Sequence, residues 1–346
     1  MIDNALRAAD VDALVVGLSL LGSGGGGDAG VFASTLRRAL GDGALTLHTP
    51  EELGEAPVVA VGMLGGTRML TEKLPGGHEV VGAVRALARW TGAEPEAVMA
   101  LEAAGLNGAL AVAAAAELRL PLVDADLMGR ALPRADQATR AVAGGSLTPF
   151  AMTEPGGRTV LLDRADAVSL ERVARAFIAQ SGGWAGCAFA PTPASVVRDD
   201  ACLGNLARAL DLGRAHAAAP PSRIAEALDG RALGAGRVVE IARDASATFG
   251  RAGIAVLDDT GPVLRLEAEN EYLLALVDGE PVASCPDLLC VLDRRTAAPI
   301  AVDALRVGDD VTVVVLPGPR WWRDRPERLV HVGPRAFGLD CDPVLM

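Results

Sequence analysis

The sequence predicts an α/β protein in which a mostly parallel sheet domain is followed by a β-rich α+β domain. Three observations carry this. Over residues 1–165 short apolar runs alternate with amphipathic helical stretches. Over residues 166–346 strand-like runs dominate. Half of the 346 residues are apolar but only 3% are aromatic. Ala, Val and Leu must therefore fill the core, which suits Ala-rich helices laid closely on a Val/Leu sheet.

The elements follow in order. Asp10 is placed to cap a helix in which Val11, Leu14, Val15, Leu18 and Leu21 share one face. Next comes Ser23-Gly24-Gly25-Gly26-Gly27-Asp28, then a second helix over 30–40. Runs at Leu45–His48, 58–61, 97–101, 121–124 and Thr159–Leu162 read as strands. Between them, 77–91, Gly105–Leu118 and 134–143 read as helices. Ligands of such sheets lie beyond the carboxyl ends of the strands. There the sequence places 62–67, Glu102 with Asn107, and Asp124 with Asp126. A helix over 170–180 leads into a glycine-rich turn, 181–189, and a helix over 203–217. Strands are expected at 237–243, 253–257, 263–266, 272–277, Leu288–Asp293, 310–315 and Leu329–Val332.

Four consecutive glycines are costly to order, because glycine loses the most backbone freedom on folding. A loop this bare at the mouth of a helix suits close approach of a ligand, with N–H groups facing an oxygen or anion. The alternative is a tight turn with a glycine C-cap. The loop is not a Rossmann fingerprint, since a helix precedes it and the Gly-x-Gly-x-x-Gly spacing fails. Nor is it a P-loop, since it ends in Asp28-Ala29-Gly30 rather than Gly-Lys-Ser/Thr.

A net charge of −12 argues against nucleic acid or an acidic membrane surface as partner. The first residues lack the pattern of a signal peptide, and no apolar run has the length of a membrane span. Five scattered cysteines fit a reducing, cytoplasmic setting better than a disulfide frame. His48, His78, His216 and His331 are far apart and no Cys-x-x-Cys occurs, so a zinc site of Cys/His type is not expected. No Gly-x-Ser-x-Gly elbow follows a strand. Cys290, within an expected strand, reads as a small buried residue.

Carboxylates remain. Asp124 and Asp126 stand two apart at a strand end, and Glu102 ends the neighbouring run. Close carboxylates push their pKa values apart, leaving one as acid and one as base. They could instead hold a divalent metal, or serve as helix caps. Lys73 is either a neutraliser of a substrate anion or an exposed loop lysine. Asn270, among Glu267, Glu269 and Glu271, belongs either to a site or to a solvated edge.

Several landmarks occur together and in this order: 20–28, 72–77, 102–107, 123–130, Glu269-Asn270, 286–293 and 332–338. With them the chain resembles the S-methyl thiohydantoin desulfurase family, once catalogued as a domain of unknown function beside hydantoinase/oxoprolinase proteins. The resemblance implies a Rossmann-like first domain and hydrolysis at C2 of a thiohydantoin-type ring, releasing a thiol or sulfide and leaving a hydantoin. It implies catalytic roles for Glu102, Asp124, Asp126 and Lys73. It implies substrate contacts from Ser23, Gly24, Gly25, Gly26, Gly27, Asp28, Asn107, Arg130, Asn270 and Asp287. Asp124 or Asp126 is then the first choice for the base. The chain departs from the expected pattern at Ala104, where a glycine is expected, and at Glu267-Ala268. The partner is a small heterocycle. A homo-oligomer or a hydantoinase-type partner subunit stays open, and no cofactor is required beyond the metal alternative. The rival readings are an ATP-dependent hydantoinase-type amidohydrolase or its partner subunit, and a non-catalytic binding or scaffold subunit.

Overall fold

The computed structural model describes residues 4–66, 73, 75–244 and 250–346. Thr67, of the strand-end segment 62–67, and Glu72 and Leu74, of the landmark 72–77, lie outside the described residues.

A short strand β1 (Ala5–Leu6) precedes α1 (Val11–Leu21), which buries Val11, Leu14, Leu18 and Leu21, as the spacing predicts. Asp10 stands at the N-cap position, but its carboxylate accepts from the Arg7 N–H and from Arg214 instead of the helix. Beyond the glycine loop lie a 3-10 turn (Ala29–Phe32) and α2 (Ala33–Leu40). The alternation then runs β2 (Leu45–His48), β3 (Pro57–Gly65), α3 (Glu79–Thr91), β4 (Ala97–Ala100), α4 (Gly105–Leu118) and β5 (Leu122–Asp126). The helix expected over 134–143 is interrupted. A 3-10 turn (Ala135–Gln137) and one helical turn (Thr139–Val142) are separated by Ala138 in extended conformation. Next come β6 (Phe150–Thr153), β7 (Thr159–Leu162), α5 (Ala167–Gln180), β8 (Trp184–Ala188), β9 (Thr192–Pro193), α6 (Ala194–Asp200), β10 (Cys202–Leu203) and α7 (Asn205–Ala218).

These strands form one sheet in the order β1-β2-β5-β4-β3-β8-β6-β7, with β10 on β5 and β9 on β3. Its centre, β2-β5-β4-β3, is parallel, as helical crossovers require. β8, β6 and β7 extend it antiparallel. Helices cover both faces, so a strand such as β4, Ala-Val-Met-Ala, is buried at every residue. α1, α2, α3 and α4 pack on one face. α5 and the C-terminal segment, with Trp322, Val332 and Phe337, pack on the other.

The division expected at 165 does not coincide with the edge of this sheet. β8 lies between β3 and β6, and α7 lies against α1. The approach of the two helices is close enough that a Cβ on Gly17 would overlap the Ala209 carbonyl. The strand at 184–188 is hidden in the sequence by its small residues, Trp-Ala-Gly-Cys-Ala, which follow two glycines and read as a turn.

The second sheet is antiparallel throughout. It contains β11 (Arg231–Asp244), β12 (Arg251–Asp258), β13 (Val263–Glu269), β14 (Glu271–Val277), β15 (Glu280–Ser284), β16 (Leu288–Asp293) and β17 (Asp310–Leu316). Their order is β15-β14-β13-β12-β11-β17-β16. Alternate residues such as Ile254, Val256, Leu264 and Leu266 bury one face. Leu329–Val332 is not the expected strand but a helical turn between proline-initiated 3-10 turns. Four apolar residues are too few for periodicity to separate the two states. The chain end returns to the first sheet, where the Trp322 indole donates to the Met128 carbonyl at 2.8 Å. The fold class is therefore the expected one, with a parallel centre and a β-rich second unit.

All five cysteines are free thiols, and Cys290 is buried as expected, its thiol pushed up to about 12 by burial. Among the described residues no helix is long and apolar enough to cross a membrane.

Candidate functional site

The glycine loop lies where the two sheets meet. Ser23 is fully buried. Its hydroxyl donates to the Leu289 carbonyl at 2.9 Å and accepts from the Leu289 N–H at 3.0 Å. The Ser23 carbonyl accepts from Tyr272 N, and the Gly24 carbonyl from Val302 N. Ser23 and Gly24 therefore stitch the loop to the second sheet, and Gly24 to Gly27 stay half-buried. On its other side the loop meets the start of α4. The Gly26 carbonyl accepts from Leu106 N at 2.8 Å. Gly105 has a φ of 49° and a Cβ there would overlap that carbonyl, so residue 105 must be glycine for the backbones to touch. Ala104 needs no such freedom. Its φ of −135° is extended, and the departure from the family pattern is accommodated.

Glu102 and Asn107 flank this junction. The Asn107 amide is fixed at both ends: Oδ1 accepts from Met63 N at 2.7 Å, and Nδ2 donates to Glu102 Oε1 at 2.9 Å. Glu102 Oε2 accepts from Leu132 N at 3.2 Å. Burial pushes the Glu102 carboxyl up to about 8, against the pull of those two donors, and the neighbouring Asp126 charge adds to the rise.

Across the loop stands Glu271, the first residue of β14. A Cβ on Gly25 would overlap Glu271 Oε1, so the carboxyl lies directly over the bare glycine. Oε2 is buried and has no hydrogen-bond partner among the described residues. Burial again dominates and raises this carboxyl to about 8; the Arg130 charge lowers it, and Glu102 and Glu269 raise it. Glu269 itself is held by Arg251 at 2.8 Å. Glu102, just after β4, and Glu271, at the start of β14, thus feel each other's charge across the junction, both in the range where a carboxyl keeps its proton at neutral pH. Glu271 is the residue that sequence reasoning left out of the site. Its signal was the acidic run 267–271, in which Asn270 was chosen instead.

Arg130 is fully buried between the two units. It donates to the carbonyls of Asp287 at 2.7 Å and Tyr272 at 3.2 Å, and its charge reaches both glutamates. The remaining expected residues are tied down elsewhere. Asp124 accepts from Leu206 N at 2.7 Å and Ala207 N at 3.2 Å, the first turn of α7. Both of its oxygens are taken up in capping a helix. Asp126 is fully buried and accepts from the N–H groups of Met128 and Gly129 and from the Asn205 amide. Burial raises it to about 6 against those donors. Lys73 reaches Glu154 at 2.7 Å and the Ser181 carbonyl at 2.6 Å. Its charge is therefore used in tying the segment before α3 to the turn after β6 and to the turn after α5. Asp28 is exposed and accepts from Gly30 N, capping the 3-10 turn. Asn270 is exposed at the β13–β14 corner, with a φ of 59°. Asp287 accepts from Gly318 N and Met346 N, both at 2.6 Å, and anchors the chain end.

Next to the junction opens a cleft of about 290 Å³. Its wall includes Leu106 and Leu110 of α4, Val80 of α3, Phe32, Met63 and Trp184. Leu106 and Met63 also belong to the junction, through the N–H bonds given above to Gly26 and Asn107.

The carboxylates expected to hold a metal do not fit one as they are placed. The oxygens of Asp124, Asp126 and Glu102 already accept N–H bonds. Among the described residues no group of three or more His, Cys, Asp or Glu side chains could hold a metal ion.

Comparison with known proteins agrees with the fold. A protein from Chromobacterium violaceum, solved by X-ray crystallography in a structural genomics programme, superposes with a TM-score of 0.75 at 22% identity. The match covers 94% of this chain and 96% of that one. No curated protein matches the sequence. The model of the S-Me-THD-like N-terminal domain matches residues 9–164, and that of the S-Me-THD-like C-terminal domain matches residues 165–345. With nearly its whole length matched in this way, the chain belongs to the S-Me-THD-like family.

Proposed function

We propose that the chain is a hydrolase that acts at C2 of an S-methyl thiohydantoin-type ring, releasing a thiol and leaving a hydantoin. The observation that carries the reading is Glu271 seated over Gly25, its Oε2 without a partner among the described residues and its carboxyl within reach of the Glu102 charge. Family membership supports a thiohydantoin-related function.

The base moves from Asp124 or Asp126, which cap α7 and the turn after β5, to Glu102, whose charge reaches Glu271. Water adds across the C2=N bond. Ionised Glu102 takes a proton from the water as the O–C2 bond forms. Protonated Glu271 gives its proton to the ring nitrogen, which receives the π electrons. N–H groups of the loop and of the first turn of α4 stabilise the tetrahedral species. On collapse the new hydroxyl returns its proton to Glu271 and C2=O forms. The C2–S bond breaks and sulfur takes the proton from Glu102. Both carboxyls end as they began, and one water is consumed for each thiol released.

The test is thiol appearance from a set of S-methyl thiohydantoins, with wild type and Glu271→Gln compared. Loss of an acid or base group lowers rates by about 10²–10⁴-fold. Full activity of the variant, or no thiol from wild type across the set with divalent metals supplied, overturns the proposal.

A further inference from the structure

We infer that the cleft beside the junction is the pocket for the ring's C5 substituent, and that it selects apolar substituents. The inference rests on the preceding reading for the position of the ring. It rests on the structure for the pocket.

Three features point to it. The first is continuity. Met63 and Leu106 line the cleft and also bond, through their N–H groups, to Asn107 Oδ1 and the Gly26 carbonyl. A ring held at the loop therefore has open volume beside it along α4. The second is chemistry. The wall is built from Phe32, Leu110, Ala113, Val80 and Trp184, and its charged members Arg38 and Glu117 are exposed side chains. The Trp184 indole N–H is already committed to the Lys73 carbonyl at 2.9 Å. Buried Glu79 is likewise spent, accepting from Gly76 N at 2.6 Å and Gly77 N at 3.0 Å. The interior thus offers an incoming group apolar contact, with few polar groups free to bind it. The third is size. At about 290 Å³ the cleft is near the lower end of small-molecule sites, which begin at about 300 Å³. A branched aliphatic or benzyl substituent fits that scale.

The experiment uses two readouts on the full chain. Thiol release is followed for S-methyl thiohydantoins carrying hydrogen, methyl, isobutyl or benzyl at C5. Calorimetry follows binding of the matching hydantoins, which needs no turnover. An apolar pocket gains about tenfold or more for a well-placed methylene. Wild type is therefore expected to prefer isobutyl or benzyl over hydrogen by at least tenfold in kcat/KM and in affinity. Ala113→Phe, which fills the cleft, is expected to reduce that ratio toward one. Leu110→Ala, which enlarges it, is expected to move the optimum to a larger group and covers the case in which Ala113→Phe fails to fold. A ratio unchanged in both variants, or hydantoins that do not bind or that bind regardless of substituent, overturns the pocket. Binding that follows the substituent in an enzyme that releases no thiol keeps the pocket and overturns the desulfurase reading.

Discussion

Replacing Glu271 by Gln should make the protein more stable and less active, and the gain in stability should grow with pH. The carboxyl is raised from 4.5 to about 8 by burial. In the folded protein it keeps its proton to about pH 8, while in the unfolded chain it ionises near 4.5. Its proton therefore favours the folded state fully below pH 4.5, and this contribution is lost as pH rises toward 8. At about 1.4 kcal/mol per tenfold change, three pH units above 4.5 correspond to about 4 kcal/mol. Glutamine does not titrate and has nearly the same shape, so it removes this penalty. It leaves a buried amide in exchange, at about 1–3 kcal/mol. The net gain at pH 7.5 is about 1–3 kcal/mol, or a few degrees in Tm; near pH 5, where the penalty has shrunk to about 0.7 kcal/mol, the amide cost is no longer offset and the variant should melt slightly below wild type. Glu102 and Asp126 titrate with the same sign, so some slope persists in the variant. The assay is a melting curve for both proteins from pH 5 to 8, with thiol release measured on the same samples. A variant that melts below wild type at pH 7.5, or by a constant difference at every pH, would refute the reasoning.

Other outcomes follow from the same geometry. Asp124→Ala removes both acceptors at the start of α7 and should cost about 0.5–2 kcal/mol, seen as a lower Tm, with thiol release per folded molecule kept within about twofold of wild type. Gly25→Ala brings a methyl onto Glu271 Oε1; thiol release should fall by at least about tenfold, and a rate equal to wild type would remove the carboxyl from the chemistry. Ser23→Ala leaves the Leu289 N–H without its acceptor and should cost about 1–3 kcal/mol, read as a lower denaturant midpoint. The rate against pH should be bell-shaped with its maximum near pH 8, where one proton is shared by Glu102 and Glu271; a maximum near pH 5 would point to ordinary carboxylates.

Much of the fold was legible because its helices carry clean periodicity and its central strands are continuous apolar runs. α4 was readable to the residue, as fourteen positions free of β-branched crowding apart from Val112. β8 was not, because Ala and Gly in a strand carry no strand signal when neighbours on both faces supply the bulk. The loop, Glu102 and Asn107 could be found together since all three lie at a strand end or helix start within the first unit. Asp124 and Asp126 lie there too. Whether such an acid serves chemistry or a cap depends on where a later helix begins, and α7 starts at Asn205. Glu271 was hidden for a related reason. The bare backbone that makes room for it is at Gly25, in the other half of the chain, and no local spacing connects the two.

The place of β8 between β3 and β6 has a consequence during synthesis. β3 is complete when residue 65 is made, but its outer neighbour ends at residue 188. At about 5–20 residues per second the ribosome leaves that edge bare for about 6–25 s. A fragment released at residue 164 would never cover it, and an uncovered apolar strand edge is a template for pairing with another chain. The first half of this protein is therefore the part most in need of a chaperone while it is being made, even though it holds the glycine loop and Glu102.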